Sequence, residues 1–202
     1  MKSRYLPAGK GLRDLTVKNL EGFLSLFYPF CCYVCDKELP ENSEHVCPSC
    51  QANFHFTYFE KYGNNHAAQQ LFWGRIPLEL VFCLLFYKDE NSTKTILNRI
   101  KYKGAKELGV YMGKWMGKTI AQIENYQSIE AIIPIPLHDK KAFIRGYNQS
   151  LMICKGISEE LNIPTVDAMM RRRHHASQTT KNRFERHDNV KDIFDLKKKV
   201  KL

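Results

Sequence analysis

The sequence predicts an α/β protein with a small cysteine-rich module ahead of its main domain. Three observations predict it. Four cysteines fall in two C-x-x-C pairs, Cys32/Cys35 and Cys47/Cys50; a β-branched apolar run, Ile129–Pro136, is followed by a loop and a helical pattern; and two more helical patterns lie between these features. An apolar run of strand length followed by loop and helix is one step of an open, parallel α/β sheet.

Length and composition set the limits. With 202 residues, 44% hydrophobic and 12% aromatic, the chain can form one ordinary domain plus a small module, and its composition is that of a globular protein. The longest apolar run, Leu78–Tyr87, is broken by Glu79 and is far short of a membrane span, so no membrane insertion is expected. Met1-Lys-Ser-Arg-Tyr-Leu-Pro lacks the apolar centre of a secretory signal, and the expectation is a cytoplasmic protein. Of the net charge of +10, +7 falls on residues 138–202, where 15 Lys/Arg face 8 Asp/Glu. A basic surface suits nucleic acid or phosphorylated small molecules, but also plain solubility.

Taken in order, residues 1–27 read as a basic lead-in and a short helix with Leu20, Phe23, Leu24 and Phe27 on one side, ended by Pro29. Residues 28–60 hold the cysteines. Each C-x-x-C pair can curl two thiolates round one side of a metal, and the 11 residues between Cys35 and Cys47 are rich in turn formers, as a ribbon hairpin requires. In a reducing compartment, two such pairs predict a closed, structural zinc site of Cys32, Cys35, Cys47 and Cys50, with no open position for catalysis. Cys31 in place of Cys32, and His45 in place of a thiolate, are the alternatives.

Residues 61–78 read as a connector, with Phe72-Trp73 expected in a core or an inter-module contact. The main domain then spans 79–202, beginning with a strand over Leu80–Tyr87. A helix from Asn91 carries Ile96, Leu97 and Ile100, and Gly104 interrupts it. A second helix places Leu108, Met112, Trp115, Met116, Ile120 and Ile123 on one face. The strand Ile129–Pro136, a loop over 138–149, and a helix over Gln149–Leu161 with Leu151, Cys154, Ile157 and Leu161 follow. Ligands of such sheets bind at the C-terminal ends of strands, so the loop after Pro136 is where chemistry is expected.

These motifs together resemble the ComF family, which pairs an N-terminal zinc ribbon with a type I phosphoribosyltransferase-like (Rossmann-like) domain. The residues that carry the resemblance are the four cysteines, Leu71-Phe-Trp-Gly-Arg75, Ile100-Lys-Tyr-Lys-Gly104, Ile133-Pro-Ile-Pro-Leu-His138, Arg145-Gly-Tyr-Asn-Gln149, Gln178, and Arg183-x-x-Arg186-x-x-Asn-Val190 with Phe194. They run in order over nearly the whole chain.

On this reading Arg145 meets a phosphate or pyrophosphate, for which a guanidinium fork suits the oxyanion. Asn148 and Gln149 either join it or cap the following helix. His138 is an acid/base or phosphate donor, or simply closes the strand end. Lys101 tracks the family's Ile-Lys-Tyr segment, against a solvated helix face. Gln178, Arg183, Arg186 and Asn189 resemble the flap over a phosphoribosyltransferase site, against a basic solvated helix.

The sequence also departs from the family. The resemblance implies, after Phe194, a strand ending in two acidic residues and a Thr-Thr-Gly-x-Thr loop whose amides hold the 5′-phosphate of phosphoribosyl pyrophosphate (PRPP). No such loop precedes Leu202. The expectation is therefore an incomplete phosphoribosyltransferase-like domain, impaired in catalysis, arising from a truncated reading frame or as a short form that keeps a binding role. Mg²⁺ with PRPP belongs only to an intact member. The partners implied are PRPP or a nucleotide, and single-stranded DNA or the helicase and uptake machinery of natural competence. A zinc-ribbon accessory protein without activity, or a non-functional fragment, is the alternative.

Overall fold

The computed structural model describes residues 30–63, 66–88, 92–171 and 193–197. The expected lead-in and the helix over Leu20–Phe27 lie outside these residues. The chain divides after Tyr111 into two compact units, and each is described by itself.

In the first unit, Cys31 bridges Glu38 antiparallel, and the chain between them turns tightly round the first cysteine pair. Asp36, in the left-handed region at φ 58°, makes that turn, which an aspartate tolerates better than most side chains. The second pair opens a short helix, α1 (Pro48–Ala52), with Cys47 as its cap and Pro48 in the first turn, where its missing N–H costs nothing. The second helix, α2 (Ala67–Gln70), is capped by His66, whose ring accepts from the Gln69 amide.

The predicted strand Leu80–Tyr87 is reduced to one antiparallel bridge, Leu85 to Phe56. Side chains take the backbone groups a longer ladder would use. The Thr57 hydroxyl donates to the Cys83 carbonyl, and Gln69 accepts from the Val81 amide while donating to the Leu78 carbonyl. Trp73, expected in a core or contact, is 57% exposed in the turn after α2.

Helix α3 (Ser92–Tyr102) buries Thr93, Ile96 and Ile100, the face predicted with Thr93 in place of Leu97. It stops as expected at Gly104, whose φ of 72° suits a residue without Cβ. Helix α4 (Lys106–Ile120) follows directly. Its buried face differs from prediction: Leu108 and Met112 are buried, but with Gly109, Gly113 and Gly117, while Trp115 and Met116 are only half-buried.

In the second unit, α6 (Gln149–Leu161) begins and ends where its periodicity predicts. A Cβ on Gly113 would lie 2.1 Å from the Ile153 carbonyl oxygen, and one on Gly117 would lie 2.7 Å from Glu160 Cβ. The glycines therefore let the backbones of α4 and α6 approach at a distance that larger residues forbid. Lys114 and Glu159 close this contact with a 2.9 Å ion pair.

The run Ile129–Pro136 pairs parallel with the chain after α6, as the α/β reading requires, but only through one bridge, Ile132 to Thr165. Ile132 N donates to Pro164 O and Val166 N to Ile132 O, both at 2.9 Å. Pro134 and Pro136 have no N–H to extend the ladder. The sheet among the described residues has two strands, β1 (Met169–Arg171) and β2 (Phe194–Leu196), paired antiparallel with Met170 opposite Asp195. A broad parallel sheet is not seen among them, so the fold is mixed helix and short strand. The loop expected over 138–149 contains a helix, α5 (Asp139–Arg145), capped by His138 and ended by Gly146 at φ 73°.

Candidate functional site

The sulfur atoms of Cys32, Cys35, Cys47 and Cys50 all lie within 4.8 Å of one another, so the four predicted ligands do come together. Cys35 and Cys47 are 3.8 Å apart. Zinc bound tetrahedrally at about 2.3 Å from each sulfur separates its ligands by about 3.8 Å, whereas a disulfide would bring two sulfurs to about 2 Å. All seven cysteines are free thiols, and neither Cys31 nor His45 belongs to the cluster.

Backbone N–H groups favour a thiolate at Cys32. Burial opposes ionisation of Cys32, but N–H groups of Cys47, Cys35 and Val34 outweigh it and bring the thiol down to about 7. Two of these contacts, from Cys47 N and Val34 N to Sγ, measure 3.3 and 3.4 Å. Cys50 moves strongly the other way, through burial, the neighbouring Cys47 and Cys35 thiols and the charge on Cys32. Cys35 is raised too: the Lys37 amide favours its thiolate, but desolvation and the adjoining Cys32 and Cys47 outweigh it. The four sulfurs together are a donor set that could hold a thiophilic metal ion.

The second cluster lies in the second unit, between α5 and α6. Arg145, last in α5, donates from Nη1 to Gln149 Oε1 at 2.9 Å. The Nε2 of Gln149 is buried and without a hydrogen-bond partner among the described residues. Lys141, one turn earlier in α5, is held below the ordinary lysine value by burial and by the charges of Arg171 and Arg145. The sequence did not single out Lys141; its Lys140-Lys141 pair on the helix of Arg145 was the available signal. Arg171, placed by strand pairing opposite Phe194, rests its guanidinium 5.7 Å from that ring. Three cations and an unpaired amide donor in one neighbourhood suit an oxyanion.

The other predicted residues take structural positions. Asn148 caps α6: its Oδ1 accepts from Ser150 N and its Nδ2 donates to Ile135 O, both at 3.0 Å. Ser150, which the sequence did not single out, accepts from Ile135 N at 3.0 Å, so both backbone groups of Ile135 are tied to the start of α6. His138 accepts from Lys140 N at 3.2 Å and so caps α5. Lys101 lies half-buried in the last turn of α3, in the first unit. Gln178, Arg183, Arg186 and Asn189 lie outside the described residues.

The first unit thus carries four cysteines that could hold a metal ion, and the second, by itself, helical α/β elements that gather cations. Competence protein F of Haemophilus influenzae is 23% identical to the chain over 190 residues, covering 84% of the chain and 78% of that protein. This likeness and the cysteine cluster agree with the resemblance to the ComF family. No family profile matches the chain, and no solved structure matches it. Among the described residues, no helix is long and apolar enough to cross a membrane.

Proposed function

We propose that this chain is a ComF-type protein in which a structural zinc centre supports a phosphate- or pyrophosphate-binding element of phosphoribosyltransferase type, acting in the cytoplasm in competence or nucleotide metabolism. The observation that carries the reading is the Arg145–Gln149 pair beside Lys141 and Arg171, with the Gln149 amide nitrogen unpartnered among the described residues. The parallel bridge from Ile132 to Thr165, with α6 between its two segments, supports the phosphoribosyltransferase-type sheet, since a strand–helix–strand crossover is its building step. The name of the Haemophilus relative supports the link to competence.

In this reading Arg145 binds the oxyanion through its fork, Gln149 donates from Nε2, and Lys141 and Arg171 supply positive potential. Asn148 and His138 hold the backbone in place. Zinc, when bound, supplies rigidity and not chemistry. Mg²⁺ would accompany PRPP only in an intact member of the family.

Titration of the zinc-loaded protein with pyrophosphate and with PRPP, each with and without Mg²⁺, tests the reading. Saturable binding that disappears in Arg145→Ala supports it, and no binding to wild type rejects it.

A second reading is a single-stranded DNA accessory protein. Tyr102 is 63% exposed between Lys101 and Lys103, and Lys61 Nζ lies 4.7 Å over the Tyr58 ring, the pairing of aromatic face and cation that such proteins use. Affinity for an oligonucleotide that falls steeply with salt and needs no PRPP favours this reading.

A further inference from the structure

Each half of the cysteine cluster is fastened to a different helix of the first unit. Asp36, just after the first pair, forms an ion pair with Arg99 of α3; the Arg99 side chain is 19% exposed and that of Asp36 is 59% exposed. Gln51, next to Cys50, donates from Nε2 to the Val46 carbonyl and to the hydroxyl of Tyr111 in α4, both at 2.9 Å. The Tyr111 ring meets His45 edge-on at 5.3 Å, and His45 lies 5.9 Å from Tyr33 on its other side.

None of these clamping groups is a sulfur, but each is held by backbone bonds within the two turns that carry the cysteines. Asp36 N donates to Cys32 O, Gln51 N to Cys47 O, and Tyr33 N to His45 O, all at 3.0 Å. Between residues 31 and 50 only Cys32, Tyr33 and Val46 are buried. So small an apolar core holds such a segment weakly without a metal. Helix α3 has 11 residues, a length that is marginal in isolation, and depends on tertiary contacts such as these.

We infer that the metal centre is a conformational lock on α3 and the start of α4. Metal binding fixes the two cysteine turns, the turns fix Asp36 and Gln51, and these clamp Arg99 and Tyr111. Loss of the metal releases the last turn of α3, which presents Lys101 and Tyr102, while α6 keeps its own packing. The inference rests on the reading of the cluster as a zinc centre and adds that its occupancy is communicated to these helices.

Amide hydrogen exchange on the full chain, zinc-loaded and after chelation, tests it, with zinc content measured in parallel. The expected result is about one zinc per chain, and exchange over residues 92–111 at least about tenfold faster after chelation, with residues 149–161 changed far less. Asp36→Asn is expected to keep its zinc while α3 alone speeds up, and Tyr111→Phe to keep its zinc while the start of α4 speeds up. Failure to bind zinc overturns both the centre and the lock. Zinc bound with no change over 92–111 overturns the lock alone. So does a loss of protection that is uniform through residues 149–161. If either variant fails to fold, the wild-type comparison still decides.

Discussion

Arg145 and Gln149 stand at opposite ends of the break between α5 and α6, and a 2.9 Å hydrogen bond spans it. Gly146, at φ 73°, is the residue that lets the chain turn back so that they meet. The bond uses the amide oxygen of Gln149 and leaves its buried nitrogen without a partner among the described residues. A buried donor in that condition costs on the order of 1–3 kcal/mol, which a bound oxyanion would recover.

For that reason Arg145→Ala and Gln149→Leu are each expected to weaken pyrophosphate binding at least about tenfold, roughly 1.4 kcal/mol, by calorimetry at fixed low salt. Arg145→Lys is expected to restore little, since an ammonium cannot reproduce the fork. Lys141→Ala is expected to have a smaller effect that shrinks as salt is raised.

Serine in place of Cys32, Cys35, Cys47 or Cys50 is expected to lower bound zinc well below one per chain, as read by atomic absorption. Cys31→Ser, outside the cluster, is expected to leave it unchanged.

Zinc affinity is expected to rise with pH. Cys32, brought down to about 7 by backbone N–H groups against its burial, is largely thiolate above that pH and is protonated below it. In the metal-free chain its contribution to stability is accordingly present above the ordinary thiol value and lost as pH falls through about 7. Cys50, pushed up by burial and its neighbours, is still a thiol at neutral pH, so zinc must displace its proton. Calorimetric titration in buffers of different ionisation enthalpy should show net proton release, and zinc affinity should fall as pH is lowered.

Gly113→Ala is expected to destabilise the protein by about 1–3 kcal/mol in chemical denaturation, although alanine normally favours a helix interior. The new methyl would sit 2.1 Å from the Ile153 carbonyl oxygen, so α4 and α6 must separate.

Asn148→Ala is expected to cost about 1–2 kcal/mol in the same measurement. It removes the cap of α6 and the bond to the Ile135 carbonyl together.

The clustering of the four cysteines was legible because C-x-x-C spacing is itself a statement of geometry, and α6 was legible because caps and apolar period agreed at both ends. The strand ladders were less so. Pro134 and Pro136 were visible in the apolar run, but its β-branched residues outweighed them in the reading. At Leu80–Tyr87 it was distant side chains, Thr57 and Gln69, that took the backbone groups. Helix α5 was hidden in an expected loop because its cap is a histidine and its Phe143 and Ile144 are exposed, so no apolar face announced it. The buried face of α4 was missed because glycine carries no hydrophobic signal, although close approach was its role here. The Asp36–Arg99 pair joins residues 63 apart, a distance no local pattern reports.

The bridge between Ile132 and Thr165 joins residues 33 apart with α5 and α6 between them. Helices of this length form within about a microsecond, whereas a parallel pairing must wait for the closure of everything it encloses. The second unit is thus expected to assemble from its helices inward, with this bridge among its late contacts. Substitutions that weaken the bridge should then speed unfolding and barely slow folding.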